Sequence, residues 1–195
     1  GDEVIQKMHQ KWEGKMPQYM FVDQQSIFHK NGFVEEEQVW FEAISAPSKL
    51  HIRINEFESG NGMLFLNDTV YYYQNHMLRA VDAKIHYLLA LSFNVYHQDP
   101  KTTIDQLSRD KFDMSKMYSR TWKGKDVYVV GASDSLDNQS NQFIIDKEKL
   151  VVLQTIRKRE GRLFTIDFQN YQEVEGYYMA TEKLFTENGE KTLLE

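Results

Sequence analysis

A chain of 195 residues with a formal charge of -6 and no cysteine can bury the core of one β-rich domain. It excludes a disulfide framework, a thiolate zinc site and a thiol nucleophile, and the acidic balance, with no basic run, argues against nucleic acid as a partner. No stretch approaches the ~20 apolar residues of a membrane-spanning helix; the most apolar window, Ile85–Tyr96, is short and carries His86, Ser92 and Asn94.

In chain order, Asp2 reads as an N-cap, after which Val4, Ile5, Met8 and Trp12 recur at helical spacing until Gly14 and Pro17. Gly1 directly before that start reads as the beginning of a trimmed mature chain whose signal has been removed. From Tyr19 the period becomes two. Met20, Val22, Gln24 and Ser26 alternate with Phe21, Asp23, Gln25 and Ile27, and Asn31-Gly32 turns this strand into Phe33–Ile44. Ala46-Pro47-Ser48 is the next break, and Leu50, Ile52 and Ile54 form another alternating strand. Short strands follow at Met63–Leu66, Thr69–Gln74 and Met77–Val81, joined by the turns Asn67-Asp68 and Asn75-His76.

Asp82 then reads as the cap of a helix from about Ala83 to His97, apolar nearly all round, which has to be covered on more than one side. A second, amphipathic helix is predicted from Thr102 or Thr103 to Phe112. The C-terminal half returns to strands: Met117–Trp122, Asp126–Ala132, Gln142–Ile145, Leu150–Ile156, Arg162–Val174 and Tyr177–Phe185. Six X-Gly steps punctuate the strand-like runs, at Asn31-Gly32, Asn61-Gly62, Lys123-Gly124, Glu160-Gly161, Glu175-Gly176 and Asn188-Gly189. Two-residue hairpin loops need positive φ, which Gly reaches without a Cβ clash and Asn tolerates. The expected fold is mainly β: one curved antiparallel sheet wrapped around the central helix as a single domain over residues 1–195.

Catalytic chemistry finds no support. Glu35, Glu36 and Glu37 are consecutive, so in a strand they divide between two faces and read as a solvated surface or an edge guard. The six histidines form no HExxH or HxH pair, and His86 reads as a satisfied core residue. GxSxG, SxxK and a Gly-rich phosphate loop are missing. The expectation is a non-enzyme with no cofactor and no metal. What stands out is apolar surface: Tyr71-Tyr72-Tyr73 with Trp40, Phe41, Phe57, Phe65 and Leu66 near a helix without a polar face. A concave sheet over such a helix makes a lined cavity plausible.

Val39-Trp40-Phe41 followed by Ala46-Pro47-Ser48-Lys49-Leu50, and the hairpin Leu64-Phe65-Leu66-Asn67-Asp68-Thr69-Val70-Tyr71-Tyr72-Tyr73, resemble the periplasmic lipoprotein carriers LolA and LolB. The segments Trp122–Lys125, Val127–Gly131 and Asn141–Asp146 look like the wider group of lipoprotein-sorting-like proteins. The resemblance implies an unclosed half-barrel covered by helices, whose hydrophobic concavity holds acyl chains of lipoproteins or lipids. It also implies a periplasmic or outer-membrane-associated place in a Gram-negative envelope, with an envelope partner protein possible and a monomer expected. The family's arginine before the turn proline is here Ala46, leaving Arg53 or Arg79 as the substitute for latching the lid. The expected cavity wall is Trp40, Leu66 and Tyr72 from the sheet, with Leu88 and Leu91 from the helix; register leaves Tyr72 close to interchangeable with Tyr71 and Tyr73. The rival function is an envelope sensor or protein-interaction module using the same fold without lipid cargo.

Overall fold

Five of the six X-Gly steps are two-residue hairpin loops with both residues at positive φ, from Asn31 (52°) and Gly32 (81°) to Asn188 (50°) and Gly189 (85°). These turns match the right-handed twist of the strands they join. In the computed structural model, which describes residues 1–195, they connect β1 (Tyr19–Lys30) to β2 (Phe33–Ser45), β7 (Met117–Trp122) to β8 (Lys125–Val130), and β10 (Val152–Arg159) through β11 (Arg162–Val174) and β12 (Tyr177–Glu187) to β13 (Glu190–Leu194). The remaining strands are β3 (Lys49–Ile54), β4 (Gly62–Leu66), β5 (Thr69–Gln74), β6 (Met77–Ala83) and β9 (Gln142–Asp146). Asn61-Gly62 makes no hairpin. Gly62 lies inside the sheet opposite Arg53, where an added Cβ would come 2.0 Å from the Ile52 carbonyl oxygen. Gly62→Ala is therefore expected to lower stability by about 3 kcal/mol through backbone displacement. Gly124→Ala, in open space at φ +76°, should cost only about 1 kcal/mol. Thermal melts of the two variants compare them directly.

All thirteen strands form one antiparallel sheet in the order β6-β5-β4-β3-β2-β1-β13-β12-β11-β10-β9-β8-β7. Two meanders, β1–β6 and β7–β13, are sewn together where β1 pairs with β13, Ile27 opposite Leu194 and Phe28 opposite Leu193. The strand β13, absent from the sequence reading, is what makes the sheet continuous. Its two ends, β6 and β7, are not paired with each other, so the sheet is an unclosed half-barrel.

The chain between those ends covers the inner face, though not as one long helix. Asp82 and Ala83 stay extended and pair with Val70 and Thr69; the hydrogen bonds of the edge strand outweigh helix propensity there. Helix α2 spans only Tyr87–Ser92, a 3-10 turn covers Asn94–Tyr96, and α3 runs Pro100–Arg109. The amphipathic helix expected from Thr102 or Thr103 begins earlier, at Pro100, which occupies the first turn, and Asp99 caps it by accepting from the Lys101 amide at 2.8 Å. Helix α1 (Asp2–Trp12) buries Val4, Ile5, Met8 and Trp12; Asp2 lies inside its first turn rather than at the cap.

The core divides along the sheet. Helix α1, Leu91 and Leu107 pack on Val130, Phe143, Ile145 and Ile166 of the C-terminal strands. Leu89 packs on Ile44, Leu50, Ile52, Phe65 and Val70 of the N-terminal strands. Strand alternation puts Val129 and Ile144 on the opposite face from Val130 and Phe143; there they form a third cluster with Val127 and Leu153.

Candidate ligand cavity

The covering segment is held down on its N-terminal side by polar clamps. Asn94 accepts from the Ser48 amide at 2.8 Å and donates to the Ser48 hydroxyl at 3.2 Å, both groups buried. On α3, Gln106 and Arg109 donate to the two carboxylate oxygens of Asp68, in the β4–β5 turn, at 3.0 and 2.6 Å. His86 starts α2: its Nδ1 accepts from the Leu89 amide at 3.0 Å, and its ring meets Phe65 edge to face at 4.5 Å. Burial holds this imidazole neutral, lowering its pKa to about 4 with Lys84 and Lys183 adding to the effect.

Between this cover and the sheet lies a cavity of about 710 Å³, with 23 hydrophobic residues among the 34 on its wall. Period-two geometry puts Trp40, Ile44, Leu50, Ile52 and Phe65 on the inner face of the N-terminal strands. Leu88, Leu89 and Phe93 line it from above, and Phe168, Met179 and Phe185 from the C-terminal strands. The volume falls in the ordinary range of small-molecule pockets.

Trp40 and Leu88 are thus on the wall. Tyr72 shares the inner face with Met63, its register partner, and packs on the Ile44, Leu50, Ile52 and Phe65 cluster of the N-terminal wall without itself lining the cavity. Leu66 is one residue out of phase with Phe65, sits on the outer face and is 36% exposed. Leu91 is fully buried among the helices and the C-terminal strands, away from the cavity. Neither proposed substitute latch reaches the cavity: Arg53 stacks over Phe57, 5.6 Å from its ring centre, and Arg79 lies on the exposed strand β6.

The sequence reading did not anticipate a polar band along the cavity floor, at the seam of the two meanders. Lys183 Nζ donates to Gln24 Oε1 at 2.7 Å and to Glu195 Oε2 at 2.9 Å. Glu42 stands beside this trio with no ion-pair partner of its own, and burial pushes its carboxyl up to about 6 against the opposing pull of Lys183. The Nε2 of Gln24 is buried without a partner. One signal was present: Glu42 falls between Trp40 and Ile44 on the same alternating face, a carboxylate flanked by inward apolar residues.

No family model matches the chain, and a search of curated proteins finds no match. Solved structures do match its fold. A domain assigned to outer membrane lipoprotein sorting from Vibrio parahaemolyticus superposes with a TM-score of 0.63 at 16% identity, covering 100% of this chain and 88% of that one. A LolA-superfamily protein from Nitrosomonas europaea gives 0.60 at 12% identity, covering 99% and 89%. A DUF1329-family protein from Desulfovibrio piger gives 0.64 at 13% identity, covering 99% and 87%. The half-barrel with its helical cover is a LolA-like fold.

Proposed function

We propose that this chain is a non-enzymatic carrier or acceptor that holds acyl chains of lipids or lipoproteins in its cavity, acting as one domain in the periplasm or at the outer membrane of a Gram-negative cell. The observation that carries the reading is the roofed apolar cavity of about 710 Å³ in a fold shared with lipoprotein-sorting domains. A dodecyl chain burying ~10 methylenes gains about 8 kcal/mol before the costs of ordering it. Such a gain depends on chain length far more than on any particular polar contact. Native mass spectrometry after lipid extraction and reloading should recover the protein with bound acyl species. Recovery of bare protein alone, under conditions where it stays folded, would refute the proposal.

A second reading, a protein-interaction module, has its own observation. The outer face and loops of the N-terminal half carry Tyr19 at 66% exposure, Phe21 at 85%, Phe33 at 77% and Phe57 at 60%, and Tyr19 and Phe21, two apart on β1, share one exposed face. The two readings use opposite faces of the sheet. Charged substitutions at Phe21 and Phe57 should leave acyl loading intact while abolishing capture of an envelope partner.

A further inference from the structure

The covering segment borders a second pocket. A space of about 310 Å³ adjoins the large cavity and shares Phe65, Lys84, His86, Leu88 and Phe185 with it. Its wall carries Lys84, Arg157 and Arg159 and no acidic residue, in a chain with a formal charge of -6. Arg157 and Arg159 are two apart on β10, Arg157 opposite Phe164, so they share the inner face.

Arg157 is only 6% exposed. Its Nη2 donates to Asp110 Oδ1 at 2.8 Å, and its guanidinium lies over the Tyr87 ring at 4.3 Å. The same Asp110 oxygen is 3.9 Å from Arg159. One carboxylate therefore serves two arginines, and with Lys84 the pocket keeps two positive charges uncompensated. Arg157 Nε and Asp110 Oδ2 are both enclosed by protein without a partner, so the charge that faces the pocket comes from the rest of the guanidinium, Arg159 and Lys84. Positive charge left without counter-charge beside a largely buried guanidinium makes the pocket a seat for an anion. Phosphate suits it better than a single carboxylate, because it brings up to two charges and several acceptor oxygens that match the arginine fork.

We propose that this pocket seats the phosphate head of an amphiphile whose chain lies in the adjoining cavity, with Arg157, Arg159 and Lys84 as its donors. The proposal rests on the carrier reading, since Leu88 and Phe65 in the shared wall would lead the chain from one compartment into the other. It places the head beside the covering segment and leaves the large cavity to the tail.

Trp40, on the cavity wall, supplies the readout: 12-bromododecan-1-ol should quench its fluorescence, with Trp40→Phe as the control for the other two tryptophans. Displacement is measured with 1-dodecanol, dodecyl phosphate and inorganic phosphate at pH 7.5 and low salt. Dodecyl phosphate should displace the probe at least about tenfold more tightly than 1-dodecanol, and the ratio should shrink as salt screens the arginines. Arg159 is largely exposed, so its replacement spares the fold. Arg159→Gln should lower the ratio several-fold, and Arg159→Glu should bring it to about one. A wild-type ratio near one, or a ratio unaltered in both variants, overturns the phosphate seat while leaving the carrier reading in place. Calorimetric binding of inorganic phosphate as tight as that of dodecyl phosphate overturns the amphiphile. If 1-dodecanol itself does not bind, the carrier reading falls and this proposal falls with it.

Discussion

Leu88→Glu is expected to weaken binding of 12-bromododecan-1-ol about 100-fold while lowering the melting temperature by only a few degrees. Leu88 is partly exposed: one side packs against the main core, and its free surface borders the cavity and the pocket that adjoins it. A carboxylate at that position keeps water in the empty cavity at little cost to the fold. An incoming alkyl chain must displace that water and strip the charge, and a 100-fold loss corresponds to about 2.7 kcal/mol, within the range for desolvating a polar group. Leu91 sits three residues away on α2 and behaves oppositely. It is 0% exposed and packs in the main core, so Leu91→Ala should cost about 3 kcal/mol of stability with little change in affinity for the molecules that remain folded. Quenching of Trp40 and thermal melts on both variants give four numbers. If stability and affinity fall together in each variant, the cavity wall and the core are not separate surfaces and the carrier reading loses its main support.

The contrast between these neighbouring leucines marks where sequence stops being informative. An almost all-apolar segment says that Leu88 and Leu91 are both covered, but not which is wholly enclosed by protein and which also borders empty space. The same limit applies to Leu66 and Phe65. Either could face inward until the register with β3 is fixed, and a slip of one residue exchanges the two faces. Local signals fared better. Positive φ at Asn31-Gly32 or Glu175-Gly176 is a property of two residues, and the hairpins there were legible because nothing distant had to agree. The β1–β13 seam is the reverse case, pairing Ile27 with Leu194 across nearly the whole chain. The central helix misled because extended backbone at Asp82 and Ala83 is held by partners in β5, which a periodicity argument within Ile85–Tyr96 does not weigh. At the cavity floor, the position of Glu42 between Trp40 and Ile44 was readable. Its neighbours Lys183 and Glu195 reach it only because the seam exists.

That floor yields the second large effect. Glu42→Gln should stabilise the protein by about 2 kcal/mol at pH 8 and by almost nothing near pH 4. The folded pKa of Glu42 is raised from 4.5 to about 6, with burial the leading cause and Lys183 opposing it. A carboxyl whose folded pKa lies above its unfolded value favours the protonated native state. Its charge is therefore a full penalty above pH 6, is relieved as pH falls through 6, and vanishes below 4.5. A shift of about 1.5 units is worth about 2 kcal/mol, and glutamine removes the charge without changing the shape. His86 moves the other way: with its folded pKa lowered to about 4, its contribution is intact above pH 6.5 and is lost as pH falls toward 4. Both proteins carry His86, so it largely cancels in their difference. The gap between their melting temperatures, measured at steps from pH 8 to pH 4, should therefore close through pH 6. A gap constant with pH would mean that Glu42 is already answered by a partner or by water when the cavity is empty. A cavity with a charged carboxylate on its floor at pH 8 and a neutral one at pH 5 would also hold alkyl chains more tightly at the lower pH. Trp40 quenching across the same series reads that coupling directly, and Glu42→Gln should flatten it.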